Sequence, residues 1–188
     1  VVYLLVSDFS RFIVHYCLHK IPFLWHFHKV HHAAEVLTPM TLYRIHPLEY
    51  YLFSLRSVLV FGGVTGSFLF WFRTGIQPLT ILQIHIGLFF FNLLGANLRH
   101  SHVPISFGKL LEHIFISPAQ HQIHHGSHPQ YFDKNFGSLF AFWDWIFGSL
   151  RLSEKEQKIE FGIDENEQKS FGGFWQNLWS PVRNLFKR

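Results

Sequence analysis

YLFSLRSVLVFGGVTGSFLFWF at residues 51–72, preceded by Tyr50, and IQPLTILQIHIGLFFFNLLGA at residues 76–96 decide how this chain folds. Each is an apolar stretch of about 20 residues, enough to cross a ~30 Å hydrocarbon core as a helix. Arg73-Thr74-Gly75 between them reads as a tight turn, so the pair predicts a transmembrane hairpin over about residues 50–96. A hairpin goes out and comes back, which leaves the segments before and after it on the same side of the bilayer. Lys20, Lys29, Arg44, Arg99, Lys109 and Lys134 lie on that side, whereas the tip carries only Arg73. Positive charge gathers on cytoplasmic loops, so that side is predicted to be cytoplasmic. Arg56 and His85 interrupt the two spans, and each must face protein or water rather than lipid. The competing reading of the hairpin is a pair of buried core helices in a soluble protein.

Composition supports the membrane reading. Of 188 residues, 48% are hydrophobic and 19% aromatic, with 23 Phe and 6 Trp, and only 15% are charged. A soluble domain is nearer a quarter charged. The formal charge of +4 comes from 16 Lys and Arg against 12 Asp and Glu, without a basic run of the kind that binds nucleic acid. Cys17 is the single cysteine, which excludes a disulfide framework and a thiolate metal cluster. The chain opens at Val1 within an apolar stretch, which reads as a truncated first membrane segment rather than a signal peptide.

Histidine is the unusual residue, at 15 copies. Neutral imidazole offers a nitrogen lone pair near physiological pH, which makes histidine the commonest metal ligand. His15 and His19 are four apart and share a helix face. His28-Lys29-Val30-His31-His32 repeats that logic, and the adjacent pair His31 and His32 points about 100° apart on a helix, so the two can serve different metal ions. His121-Gln122-Ile123-His124-His125 has the same HxxHH spacing beyond the hairpin. His100 and His102 precede it, and one or both could complete the coordination. An all-imidazole set suits Zn, Cu, Fe or Ni on ligand type alone. Eight or nine nitrogens exceed what one four-coordinate zinc uses and fit two metals of higher coordination number. Asp8, seven residues before His15, could accept a hydrogen bond from the free N–H of a ligand histidine.

HxxxH, HxxHH and a distal HxxHH around hydrophobic spans resemble the fatty acid hydroxylase / sterol desaturase superfamily of membrane di-iron enzymes. Leu24-Trp25-His26-Phe27-His28-Lys29-Val30-His31-His32 is similar to its second box, with the Trp that precedes it. Ser117-Pro118-Ala119-Gln120-His121-Gln122-Ile123-His124-His125 is similar to its third. Asn135-Phe136-Gly137 and Trp143-Asp144-Trp145-Ile146-Phe147-Gly148 resemble the segment that follows, so the likeness covers about residues 5–150. The resemblance implies two iron ions, O₂ as co-substrate, an external redox donor protein, and a lipid, sterol or carotenoid-type substrate taken from the membrane. It implies His15, His19, His28, His31, His32, His121, His124 and His125 as ligands, with His100 as the ninth; His102 stands where many relatives carry Asn.

The expected protein is therefore all-α, with integral membrane helices and a cytoplasm-facing histidine-cluster metal domain. Residues 1–150 form the enzyme domain and 151–188 a polar and aromatic tail. It is expected to hydroxylate or desaturate a hydrophobic substrate, in a bacterial cytoplasmic membrane or the endoplasmic reticulum. The chemistry rests on metal ligands alone, with no further catalytic side chain. A zinc hydrolase and a metal transporter are the alternatives. The first usually needs a general base, and no HExxH is present; the second would place its ligands near mid-membrane. His26 is expected to point away from the metal face, Arg44, His46 and Glu49 to pair structurally, and His85 to be a satisfied buried group. His113 and His128 read as peripheral. The late aromatics, Phe171 through Trp179 and Phe186, suit either an interfacial anchor or packing over the histidine domain.

Overall fold

A computed structural model of the chain describes residues 1–73, 86–87, 90, 92–154 and 158–186. Among these the architecture is helical, with two isolated bridges (Phe115 with Phe140, Gly126 with Phe161) and no strand. Helix α1 spans Val2–Lys20. It stops at Ile21, whose extended backbone (φ −96°, ψ 112°) is what a following proline demands, and Pro22 then opens α2, Pro22–His32. A 3-10 turn at Pro39–Tyr43 leads to α3, Pro47–Phe72. Pro47 sits in its first turn, and the His46 ring nitrogen Nδ1 caps it by accepting from the Leu48 N–H at 3.1 Å.

The 26 residues of α3 reach about 39 Å, and α3 is the one helix among the described residues long and apolar enough to cross a membrane. It is not a core helix. Val58 is 68% exposed and Trp71 75%, and no residue of its most apolar window is buried. Arg56, the charge within this span, is turned against α1: its guanidinium donates to Ser7 O at 2.9 Å and Ser10 Oγ at 2.8 Å. An intramembrane charge is tolerated when it faces protein in this way. Arg73 ends α3 in the left-handed region (φ 47°), and Thr74 and Gly75 of the expected turn lie outside the described residues. The returning limb of the expected hairpin, residues 76–96, lies mostly outside the described residues, and His85 lies wholly outside them.

The chain re-enters at a π-helical turn, Asn92–Ala96, and α4, Asn97–Arg99. Short helices α5 (Gly108–Leu111), α6 (Pro118–His124), α7 (Phe142–Ile146), α8 (Glu165–Gln168) and α9 (Phe174–Leu185) complete the order. Helix α6 begins with a capping box. Gln120 N donates to Ser117 Oγ, and Ser117 N donates to Gln120 Oε1. The core lies between α1 and the 123–136 region, with Phe12, Leu18, Ile123 and Phe136 almost fully buried. The C-terminal segment packs on α2: Lys29 pairs with Glu167 at 2.7 Å, Arg44 Nη2 donates to Phe171 O at 2.9 Å, and Phe171 is buried with Val30 and Ala33. Phe174, Trp175, Trp179 and Phe186 remain largely exposed, so the late aromatics divide between packing and surface.

Candidate metal centre

The histidines of α1, α2, α4 and α6 meet in the interior. His15, His19, His28, His32 and His124 form one group; His31, His100, His121 and His125 form a second. Within each group, one ring nitrogen from every residue lies within 4.8 Å of all the others. The two groups adjoin, since the His32 and His125 rings stack at 4.5 Å. The structure thus brings together all nine histidines that the sequence singles out. It separates His31 from His32 into different groups, as their 100° divergence on a helix requires. His102 is exposed and belongs to neither group, and His26 lies outside both. His46 caps α3 and contacts Leu178 O at 3.1 Å; His113 bonds Lys109 O; His128 caps a short 3-10 turn.

What orients these rings is mostly backbone. His15 Nδ1 lies 2.8 Å from Phe136 O, His124 Nδ1 2.8 Å from Lys134 O, His100 Nδ1 3.0 Å from Ala96 O and His31 Nδ1 3.3 Å from Arg44 O. A carbonyl only accepts, so Nδ1 must carry the proton and Nε2 the lone pair. The exception is His28, whose Nδ1 faces the Glu49 carboxylate at 3.0 Å, with both side chains buried. Glu49 therefore pairs with His28, not with Arg44 and His46 as the sequence suggested. Arg44 instead bonds Val30 O and Phe171 O, because the chain after α2 folds back across it.

Asp8 also departs from expectation. It does not reach a histidine. Its two oxygens accept from Leu139 N (3.0 Å), Phe140 N (3.2 Å) and Trp143 Nε1 (3.0 Å), tying α1 to the loop before α7. Asp144 does similar work, accepting from Phe136 N and Gly137 N at 2.7 Å each and from Ser149 Oγ at 2.6 Å. These bonds hold the strip 134–136 so that its carbonyls meet His124 and His15. Gly137 is obligatory there: a Cβ would stand 2.6 Å from Phe140 O and 2.8 Å from Asp144 Oδ2.

The donors left over fit metal ions. Nε2 of His19, His28, His32 and His124 is buried without a hydrogen-bond partner. His31 Nε2 and His100 Nε2 lie 3.2 Å apart, and both Nδ1 positions are committed to carbonyls. Two lone pairs therefore point at each other, an arrangement that a cation between them would relieve. Burial first, and repulsion from neighbouring rings after it, push His32, His121 and His125 well below the ordinary imidazole range. Burial likewise takes His31 to about 4 and His124 to about 3. The rings are thus neutral at physiological pH, the state in which imidazole binds metal.

Fold and site together define a helical protein with a two-part cluster of mostly buried imidazoles beside a candidate membrane span. The fatty acid hydroxylase family matches residues 1–149, and the chain belongs to that family. Human alkylglycerol monooxygenase is 27% identical over 156 residues, covering 83% of this chain and 31% of its own length. Human cholesterol 25-hydroxylase is 29% identical over 158 residues, covering 80% and 50%. A Delta(7)-sterol 5(6)-desaturase of Aspergillus fumigatus, erg3C, is 30% identical over 165 residues, covering 82% and 48%. The chain spans about 31% of the human alkylglycerol monooxygenase and 29% of that of Caenorhabditis elegans. No solved structure matches it.

Proposed function

We propose that the chain is the catalytic part of an O₂-dependent di-iron oxidoreductase that hydroxylates or desaturates a lipid or sterol-like substrate in a membrane. The observation that carries the reading is the meeting of nine histidines, seven of them buried, in two adjoining groups, within a chain of the fatty acid hydroxylase family. The relatives it matches are named as a lipid monooxygenase, a sterol hydroxylase and a sterol desaturase. His15, His19, His28, His32 and His124 would hold one iron; His31, His100, His121 and His125 would hold the other. Iron held there supplies the reduction of O₂ coupled to oxidation of a C–H bond.

The chain's own residues do the rest. The carbonyls of Lys134, Phe136, Ala96 and Arg44 fix the ring tautomers, and Glu49 orients His28 and offsets cationic charge. Substrate reaches the centre laterally beside α3, on the cytoplasmic side of the bilayer, and electrons come from a separate redox donor.

The test is O₂-dependent turnover of membrane lipids by the iron-loaded protein, read by mass spectrometry. His28→Ala and His124→Ala should each abolish turnover and lower bound iron. Full activity in either variant without iron would refute the reading, and activity under anaerobic conditions with zinc would favour a hydrolase instead.

A further inference from the structure

A cavity of about 320 Å³ adjoins both histidine groups. Rings of His15, His28, His31, His100 and His121 line it, and Leu42 and Ile45 from the segment before α3, with Phe53 on α3, give it an apolar wall. Its charged lining is lopsided: Arg11, Arg56 and Arg99 face one carboxylate, Glu49, which is already engaged with His28. Two of the three guanidiniums have protein acceptors. Arg56 bonds Ser7 and Ser10, and Arg99 bonds Ser138 O.

Arg11 has no hydrogen bond or ion pair among the described residues. Its guanidinium lies over the Phe53 ring at 5.2 Å. Its nearest acid along the helix, Asp8, spends both oxygens on Leu139, Phe140 and Trp143. A guanidinium cannot shed its charge in a protein and presents five N–H donors in a planar fork. Partly exposed where it lines the cavity and without a protein acceptor, its donors are open to an anion that enters. Arg11 is also one helical turn before His15, so both project into the same cavity from the same face of α1. The like charge of Arg11 acts on Arg99 too: burial first, then that charge, brings Arg99 down to about 10.

We propose that this cavity takes a long-chain lipid whose polar end is an anion, a carboxylate or a phosphate, and that Arg11 binds that end through a two-point contact. The inference deepens the enzymatic reading above and rests on it for the fate of the ligand, but not for its binding. The chain of the lipid lies along Leu42, Ile45 and Phe53. The anchored anion fixes which carbons come near the histidine groups, so Arg11 sets the position of oxidation as well as affinity.

Equilibrium binding of radiolabelled hexadecanoic acid, hexadecyl phosphate and methyl hexadecanoate to the iron-loaded protein in nanodiscs tests this. The wild type should prefer at least one anionic lipid over the neutral ester by about tenfold or more, the scale of a charge-assisted bidentate contact. Arg11→Gln should erase that preference and leave ester binding and iron content unchanged. Arg11→Lys, which keeps charge but loses the fork, should retain part of it. Equal binding of acid, phosphate and ester by the wild type would overturn the proposal, as would an undiminished preference in Arg11→Gln. Inorganic phosphate binding as tightly as hexadecyl phosphate, and lost with Arg11, would make this a free-anion site and overturn the lipid assignment. Absence of O₂ uptake with every lipid, alongside an Arg11-dependent preference, would instead sink the enzymatic reading and leave the binding site standing.

Discussion

Glu49 Oε2 lies 3.0 Å from His28 Nδ1, in a pocket where both side chains are buried. It is the one carboxylate in contact with a ring of either histidine group among the described residues, where the other orienting partners are carbonyls. A carboxylate on the far nitrogen raises the basicity of the ring and locks its tautomer, and losing such a partner typically weakens metal binding 10–100-fold. Glu49→Gln keeps the shape and removes the charge. It should lower iron affinity by about 10–100-fold while leaving helix content intact. Metal titration with elemental analysis checks this; unchanged affinity would reduce Glu49 to a structural partner.

The strip 134–136 offers a second test, because it orients His124 and His15 without contributing a ligand side chain. Gly137→Ala would drive a Cβ to within 2.6 Å of Phe140 O, forcing the strip to shift. Overpacking of this kind costs about 1–3 kcal/mol. A drop in melting temperature together with reduced iron occupancy is expected. Reduced melting temperature with full occupancy would show that the strip's carbonyls are dispensable for the centre.

Much of this site was legible from spacing, and the reason is geometric. HxxxH and HxxHH place rings on one helix face before any tertiary contact forms, so membership of the cluster follows from helical period alone. What could not be read were the partners that depend on which loop returns where. Glu49 sits 21 residues from His28, and nothing local distinguishes pairing with His28 from pairing with Arg44. Asp8 shares a face with His15, yet backbone N–H groups from residues 139–140 outcompete the ring for it. Arg11 is a lone arginine in an apolar stretch, and only the cavity shows that its side chain shares a lining with the histidines.

Acid should release metal and destabilise the metal-free fold. His31 and His124 sit at about 4 and about 3 in the folded protein, against an ordinary 6.5. Below pH 6.5 the unfolded chain takes up protons that the folded chain refuses, so stability is full above 6.5 and falls as pH drops toward 4 and 3. His32, His121 and His125 act in the same direction. Asp144, raised by burial from 3.8 to about 6, acts oppositely: its contribution is present below 3.8 and lost as pH rises through 6. The buried histidines outnumber the carboxyls that act this way, so the melting temperature of the metal-free protein should fall between about pH 6.5 and pH 5. A constant or rising melting temperature over that interval would contradict the burial of a neutral cluster.

The exposed apolar surface of α3 is testable one residue at a time. Arg56 and Val58 are two positions apart in the same span, yet Arg56 turns to Ser7 and Ser10 while Val58 is 68% exposed. A charge at a lipid-exposed position near the middle of a span costs about 2.5–3.5 kcal/mol on insertion. Val58→Arg should therefore reduce the membrane-inserted fraction, whereas Arg56→Leu should leave insertion intact and loosen the α1–α3 contact, lowering thermal stability. Carbonate extraction and melting curves separate the two effects. Equal insertion of Val58→Arg and wild type would mean that this face of α3 meets water or protein rather than lipid, and the membrane topology argued from it would fail.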